Sequence, residues 1–127
     1  MNRFFQLCFF AVLALGIPAF LSSTETPNFE SPHVHPLDIS PNGSTLAICN
    51  TRDNRIELYS IGSGGGLSNH RSLFTGIDPV SVRFRSNSEL WVVNHVSDSI
   101  SIVDLTEEVV ADTLQTFDEP CDVVFAG

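Results

Sequence analysis

Short runs in which apolar and polar residues alternate, separated by turn-forming residues, extend from Pro36 towards the end of the chain. The run VSVRF at 80–84 is apolar at every second position, which is the periodicity of a strand with one buried face. The runs LAIC at 46–49 and LWVV at 90–93 are apolar throughout, as expected of strands covered on both faces. This pattern predicts an all-β fold of short strands.

The pattern occurs twice and then begins a third time. Segment 36–61 matches segment 79–105 with a single one-residue slip, and from Leu46 onward corresponding residues are 44 positions apart. The opening prolines of the three copies, at 36, 79 and 120, are 43 and 41 residues apart, a period typical of a propeller blade. We therefore predict β-propeller blades of four antiparallel strands at 36–78 and 79–119, with a third blade beginning at 120–127.

Each blade is predicted to contain four strands in meander order. In the second copy the apolar runs predict strands at 80–84, 90–93, 100–105 and 109–114. In the first copy the first three strands begin near Leu37, Leu46 and Ile56. The glycine-rich segment 62–69 is predicted to be a flexible link to a short fourth strand at 71–75.

Several of these motifs resemble one known repeat. SPNG at 40–43 is close to a Ser-Pro-Asp-Gly turn, AICN at 47–50 and WVVN at 91–94 stand at a Tyr-Val-Thr-Asn strand, and ISIVD at 100–104 matches an alternating Val-x-Val-Ile-Asp strand. From Pro36 onward the chain thus resembles the YVTN-type β-propeller repeat family, without the signature tyrosine. The resemblance implies an extracytoplasmic propeller used for binding or as a scaffold, with some relatives attached to redox or other catalytic modules.

The copies are too few to complete a ring. A propeller needs at least about four blades, whereas this sequence contains about two and a quarter. An open array leaves apolar faces and edge strands uncovered, which favours association. We therefore expect an incomplete propeller. It is either the N-terminal part of a longer protein or a unit that is completed by self-association or by the missing blades.

Residues 1–23 have the features of a secretory signal peptide. Arg3 precedes an apolar stretch at 4–21 that is interrupted by Pro18, and polar residues follow it. The alternative is an uncleaved membrane anchor, because a stretch of this length just reaches across a bilayer. Residues 24–35 are predicted to form a polar linker. A secreted or periplasmic location is therefore expected.

Charge and cysteine content narrow the range of partners. The chain has a net charge of −9, with six arginines and fifteen carboxylates. Such a surface repels phosphate groups, so nucleic acid is not expected as a partner, and membrane contact is expected only through an uncleaved N-terminal segment. Cys49 and Cys121 replace aliphatic residues of the other copies, so both are expected to be small buried residues rather than a disulfide pair.

Few residues are candidates for ligand binding, metal binding or catalysis. Asp38, Ser81 and Asp122 recur as polar residues in the first strand of each copy, the strand that lines the channel of a propeller, so they are candidates for a channel-facing polar ring. His33 and His35 would share one face of an extended segment and are weak candidates for metal ligands, although a linker histidine pair is the favoured interpretation. The sequence contains no motif that predicts catalytic residues or a cofactor.

The sequence therefore favours an exported, non-enzymatic propeller segment that acts as a scaffold for a protein or small-molecule ligand. The alternative is the N-terminal part of a propeller enzyme, lactonase-like, lyase-like or redox-linked, whose catalytic residues lie beyond Gly127.

Overall fold

The computed structural model describes residues 31–126, which form eight β-strands and a single-turn 3₁₀ helix, Thr51–Asp53. The first four strands are β1 (Leu37–Ile39), β2 (Thr45–Asn50), β3 (Arg55–Ile61) and β4 (Leu67–Phe74). The second four are β5 (Pro79–Phe84), β6 (Glu89–Asn94), β7 (Ser99–Asp104) and β8 (Val109–Gln115). The predicted signal peptide at 1–23 and residues 24–30 of the predicted linker lie outside the described residues.

The strands form two antiparallel sheets in which each strand pairs with its neighbours along the chain, in the orders β1-β2-β3-β4 and β5-β6-β7-β8. The registers of the two sheets correspond, since Cys49 pairs with Ile56 as Val93 pairs with Ile100. The predicted fold class is confirmed: the chain is all-β and contains two four-stranded blades of an incomplete propeller. The two sheets do not close a ring within residues 31–126.

The turn between β1 and β2 follows from its sequence, SPNGS. Asn42 Oδ1 accepts hydrogen bonds from Ser40 Oγ at 2.8 Å and from the Ser44 backbone N–H at 3.0 Å. Gly43 has a φ of +71°, a left-handed conformation that costs glycine little because it has no Cβ. An asparagine followed by a glycine therefore closes the turn through side-chain and backbone preferences together.

The hydrophobic core lies between the two sheets. The first blade contributes its trailing face, which we define as the face towards the following blade: Ala47, Cys49, Ile56 and Leu58. The second blade contributes its leading face, the face towards the preceding blade: Val82, Phe84, Leu90, Val92 and Val103. None of these side chains is more than 9% exposed. Burial of each valine, leucine, isoleucine or phenylalanine in this set contributes about 1.5–3 kcal/mol, so contact between blades is a major source of stability.

An equivalent hydrogen bond holds the connection that follows each of the two blades. The backbone N–H of Asp78 donates to Asn54 Oδ1 at 2.9 Å, and the backbone N–H of Glu119 donates to Asp98 Oδ1 at 2.9 Å. All four of these residues have positive φ values between 49° and 64°. The repeat therefore extends from the strands to the junctions, and the second junction orients residues 120–126 as the first orients β5.

A second bond at each junction ends on the proline that opens the next copy. The Thr51 hydroxyl donates to the Pro79 carbonyl oxygen at 2.7 Å, and His95 Nδ1 lies 3.1 Å from the Pro120 carbonyl oxygen. A carbonyl only accepts, so His95 donates through Nδ1. His95 thus donates the hydrogen bond that is equivalent to the one from Thr51 in the first blade.

Two sequence expectations differ from the structure. The fourth strand of the first blade begins at Leu67 rather than at 71, because Gly62–Gly66 closes a tight turn, with the Gly62 N–H bonded to the Gly66 carbonyl at 2.9 Å, and Leu67 then pairs with Ile61. The prediction that Cys121 is buried was wrong, since no described strand covers it, whereas Cys49 is buried and both thiols are free. Residues 31–126 contain no helix that is long and apolar enough to cross a bilayer.

Candidate functional site

A row of polar side chains lies along β1, β5 and the segment 120–126 that follows the second sheet; β1 and β5 are the first strands of their sheets, which are innermost in a propeller. In this row Asp38 pairs with Ala47, and Arg83 pairs with Trp91, the counterpart of Ala47 in the second blade. Asp38 and Arg83 therefore occupy the same structural position in the two blades. We refer to Asp38, Ser81, Arg83 and Asp122 as the polar row.

The sequence comparison aligned Asp38 with Ser81, two residues before its structural counterpart. That alignment was wrong because it assigned the extra residue between the first two strands to the second copy. In the structure the extra residue is in the first copy, since Ile39 pairs with Leu46 seven positions on and Phe84 pairs with Leu90 six positions on. Arg83 was consequently missed as a site residue. Its signal was present in the sequence, because it is a charged residue at the polar position next to Phe84 in the alternating strand 80–84.

Asp122 is the most heavily bonded member of the polar row. Arg83 Nη2 donates to Asp122 Oδ2 at 2.7 Å, Arg83 Nε donates to Asp122 Oδ1 at 3.2 Å, and the Ser81 hydroxyl donates to Asp122 Oδ1 at 2.5 Å. The hydrogen bonds from Arg83 are the largest cause that lowers the pKa of Asp122 well below its usual range, and they outweigh the opposing effect of burial. Asp122 is therefore ionised at neutral pH and joins residues 120–126 to the second blade.

Asp38 joins the first blade to the second. Its Oδ2 accepts the backbone N–H of Phe84 at 2.8 Å, and its Oδ1 accepts the backbone N–H of Ile39 at 2.9 Å. The pKa of Arg83 is raised above its usual value by its bonds to Asp122, with a smaller contribution from the charge of Asp38. Each carboxylate of the polar row thus bonds to the innermost strand of a neighbouring blade.

The two histidines proposed as weak metal ligands make different contacts. His33 Nε2 lies 2.5 Å from the Thr51 hydroxyl, and since that hydroxyl donates to Pro79, it accepts from His33. His35 pairs through its backbone with β5, where the Val82 N–H donates to the His35 carbonyl at 2.9 Å. Within residues 31–126, no group of three or more His, Cys, Asp or Glu side chains is arranged to hold a metal ion.

The polar row supplies hydrogen-bonding groups with a net charge of −1, two carboxylates against one guanidinium. Because Arg83 is engaged by Asp122, it is not free to bind an anion. The row is suited to neutral, hydroxyl-bearing molecules, whose hydroxyl groups can donate to the carboxylates. Binding of a ligand by Asp38, Ser81 and Asp122 stays a prediction.

A second concave feature lies on the first blade. An open cleft of about 370 Å³ is bordered by residues of β2, β3 and the segment before β1, including His33, Asn50, Glu57 and Tyr59. Glu57 is the central charged group of this cleft. It accepts from Asn50 Nδ2 at 2.9 Å and lies 2.7 Å from His70 Nε2.

No protein-family model and no curated protein matches the chain. The chain is similar in structure to the periplasmic gluconolactonase of Pseudomonas aeruginosa, at 25% identity and a TM-score of 0.59, over 73% of this chain and 28% of that one. It is similar to the hydrazine synthase of Kuenenia stuttgartiensis, at 21% identity and a TM-score of 0.61, over 81% and 28% of the two chains. It is also similar to a luciferin-regenerating enzyme, at 22% identity and a TM-score of 0.64, over 75% and 34%.

The chain spans about a third or less of the length of these structures. They are β-propeller-type proteins, and the two blades described above match them in fold. What the comparisons establish is therefore the architecture: this chain has the fold of two blades of a β-propeller.

Proposed function

We propose that this chain is the N-terminal part of a propeller enzyme of the lactonase kind, which adds water to a cyclic ester and releases the open hydroxy acid. The observation that carries the proposal is the similarity to a periplasmic gluconolactonase over 73% of this chain. The neutral, hydroxyl-rich character of a sugar lactone also suits a polar row that has no free cation. A non-enzymatic scaffold has less support, because the three similar structures named above are a hydrazine synthase, a luciferin-regenerating enzyme and a gluconolactonase, all of them enzymes.

In this proposal the polar row binds and orients the substrate, and the residues that carry out the chemical step lie beyond Gly127. Asp122 is ionised and bonded to Arg83 and Ser81, so it is held rigidly but has little basicity. A general base works best when its pKa is near the working pH, and the lowered pKa of Asp122 does not meet this condition. Hydroxyl groups of the substrate would donate to the carboxylates of Asp38 and Asp122.

The proposal includes the repeat family and the location expected from the sequence. The repeat is of the YVTN type, and the protein is exported to the periplasm or secreted by means of residues 1–23. The acidic composition supports a protein that does not bind nucleic acid, and the apolar stretch at 4–21 that follows Arg3 supports export.

The test is hydrolysis of gluconolactone by the full-length protein, followed by titration of the acid released at constant pH and compared with spontaneous hydrolysis. We expect Arg83→Gln to lower kcat/KM at least tenfold, about 1.4 kcal/mol of transition-state stabilisation. Arg85→Gln is the matched control, because the Arg85 side chain donates to Glu89 and lies over the Trp91 ring without contacting a member of the polar row, and it should change kcat/KM less than twofold. A full-length protein that does not exceed the spontaneous rate would refute the proposal.

A further inference from the structure

One peptide bond between the blades follows an acidic residue. Asp78 ends the connection from the first blade, and Pro79 begins β5. Asp78-Pro79 is the one Asp-Pro sequence in the chain. The junction after the second blade is Glu119-Pro120, and the backbone N–H groups of Asp78 and Glu119 donate equivalent hydrogen bonds. The chain therefore contains the same kind of junction in two forms, whose acidic residues differ by one methylene group.

The backbone of Asp78 is strained. Its φ is +64°, in the left-handed region that residues with a side chain avoid. The ring of a following proline also disfavours helical conformations of the residue before it. Two hydrogen bonds hold this conformation, from the Asp78 N–H to Asn54 Oδ1 at 2.9 Å and from the His95 N–H to the Asp78 carbonyl oxygen at 3.0 Å. Cleavage of the bond to Pro79 therefore releases strain that the fold imposes.

The carboxyl group of Asp78 is buried and forms no ion pair among residues 31–126. Residue 78 is 6% exposed. Its Oδ2 accepts a hydrogen bond from the Ser31 N–H at 3.2 Å, and the ion pairs of the described chain involve other carboxylates. The two histidines at this junction, His33 and His95, are bonded to other groups. The carboxyl group thus lies close to the backbone without a cationic partner.

The proline limits the reactions of this carboxyl group. At other aspartates the following backbone nitrogen can attack the side-chain carboxyl carbon and form a cyclic imide, but the nitrogen of Pro79 carries no hydrogen. The carboxyl oxygen of Asp78 can instead attack the carbonyl carbon of its own residue, which forms a five-membered cyclic anhydride. The carbonyl–nitrogen bond to Pro79 breaks, and the carboxyl proton moves to the proline nitrogen, which leaves as a secondary amine. Water then opens the anhydride to two carboxyl groups, so the net reaction is hydrolysis of one peptide bond.

The junction favours this reaction at Asp78. The carbonyl oxygen of Asp78 becomes negative when its carbon is attacked, and the His95 N–H already donates to that oxygen. The attacking group and the carbonyl belong to one residue, so no loss of translational freedom opposes the reaction. Glu119 could form only a six-membered anhydride, which closes more slowly because one more bond must be fixed. Glu119-Pro120 is therefore the resistant counterpart within the same chain.

We propose that Asp78-Pro79 is a self-cleavage site, at which the chain separates into a fragment that ends at Asp78 and a fragment that begins at Pro79. The reaction consumes water alone, and it is independent of the proposed lactone hydrolysis. In the folded protein the fragments stay together, because Ala47, Ile56 and Leu58 of the first blade remain packed against the second. Self-cleavage thus converts a covalent junction into a contact that is maintained by burial.

Mass spectrometry of the full-length protein, kept folded at pH 5 and 37 °C, tests the proposal. We expect fragments that end at Asp78 and begin at Pro79, formed at least tenfold faster than by the same cut in a synthetic peptide of residues 74–83. In concentrated urea the rate in the protein should fall to that of the peptide, because the junction conformation is lost. Circular dichroism under each condition reports whether the protein is folded. A folded protein that is cleaved no faster than the peptide would overturn the proposal.

Substitutions at the two junctions test the chemistry. Asp78→Glu keeps the charge and should slow cleavage at 78–79 at least tenfold. Asp78→Gly removes the carboxyl group and should abolish cleavage, and glycine accepts the positive φ, so the fold is retained. Glu119→Asp should add a second cut, before Pro120, because it places the reactive residue in the equivalent conformation. Cleavage that persists in Asp78→Gly, or a Glu119→Asp protein without the second cut, would overturn the proposal.

Discussion

Trp91 and Phe125 meet edge to face, with ring centroids 5.2 Å apart and an interplanar angle of 90°. Trp91 lies on the trailing face of the second blade, at the position of Ala47 in the first, and Phe125 belongs to the third copy of the repeat. The contact is therefore the start of a second blade-to-blade interface, in which one short segment covers part of a whole sheet. As Trp91 is the sole tryptophan of the chain, its fluorescence reports on this segment.

The ion pair of Asp122 with Arg83 should control this contact. We predict that Asp122→Asn releases residues 120–126 and shifts the emission of Trp91 towards longer wavelength, at a cost of about 1 kcal/mol, which is typical of a partly exposed pair. Asp118→Asn, which changes an exposed carboxylate in the preceding loop, is the control and should leave the emission unchanged. An unchanged spectrum for Asp122→Asn would contradict the assignment.

The same pair predicts a pH dependence. The pKa of Asp122 is lowered in the folded protein, so its contribution is complete above the ordinary carboxyl pKa of about 4 and is lost as the pH falls towards the folded value. We expect the emission of Trp91 to move to longer wavelength on acidification below about pH 4. The Asp122→Asn variant should lack this part of the transition. If both proteins follow one acid curve, another group is responsible.

Gly76 should be intolerant of a side chain. A Cβ at this position would collide with the side chains of Ser97 and Asn94, the latter at 2.6 Å, and Asn94 is fully buried and cannot move aside. We predict that Gly76→Ala lowers the free energy of unfolding by about 1–3 kcal/mol, the range for overpacking, measured by urea denaturation. Gly64→Ala has nothing within 4 Å of its Cβ and should change stability by less than about 0.5 kcal/mol.

Local pattern determined what could be predicted from the sequence. The alternation at 80–84 and the apolar runs at 46–49 and 90–93 depend on burial alone, and all three lie in strands of the structure. The position of Asp38 relative to Arg83 depends on which copy has the longer turn between its first two strands, and the order of apolar and polar residues does not show this. Sequence comparison therefore identified the strand and missed the register by two residues.

Contacts between blades could not be predicted from the sequence, for a related reason. Arg71 on β4 pairs with Glu108 in the β7–β8 turn, 37 residues away, and neither residue repeats in the other blade. Such a pair leaves no periodic signal. Cys121 was misjudged in the same way, because its burial depends on strands of a neighbouring sheet rather than on its own segment.

Equivalent core positions should differ in their contribution to stability. Ile56 and Ile100 occupy the same site in the two trailing faces, but Ile56 is 0% exposed beneath the second blade, whereas Ile100 is half-buried on a face that no described blade covers. We predict that Ile56→Ala lowers the free energy of unfolding by about 2–5 kcal/mol and that Ile100→Ala lowers it by about half as much. Equal losses in urea denaturation of this chain would mean that residues 120–126 cover the second trailing face as fully as a blade does.

The two described cysteines should react at very different rates. Burial raises the pKa of the Cys49 thiol to about 12, whereas Cys121 is exposed, with its Sγ 3.4 Å from the Glu119 carbonyl oxygen. The thiolate is the reactive form, so Cys49 is both inaccessible and almost fully protonated at pH 8. We expect iodoacetamide at pH 8 to modify Cys121 in the native protein and to modify Cys49 only after addition of denaturant, as read by mass spectrometry of the peptides. Because Cys49 lies on the trailing face beneath the second blade, its modification at the rate of Cys121 without denaturant would mean that the two blades separate in solution.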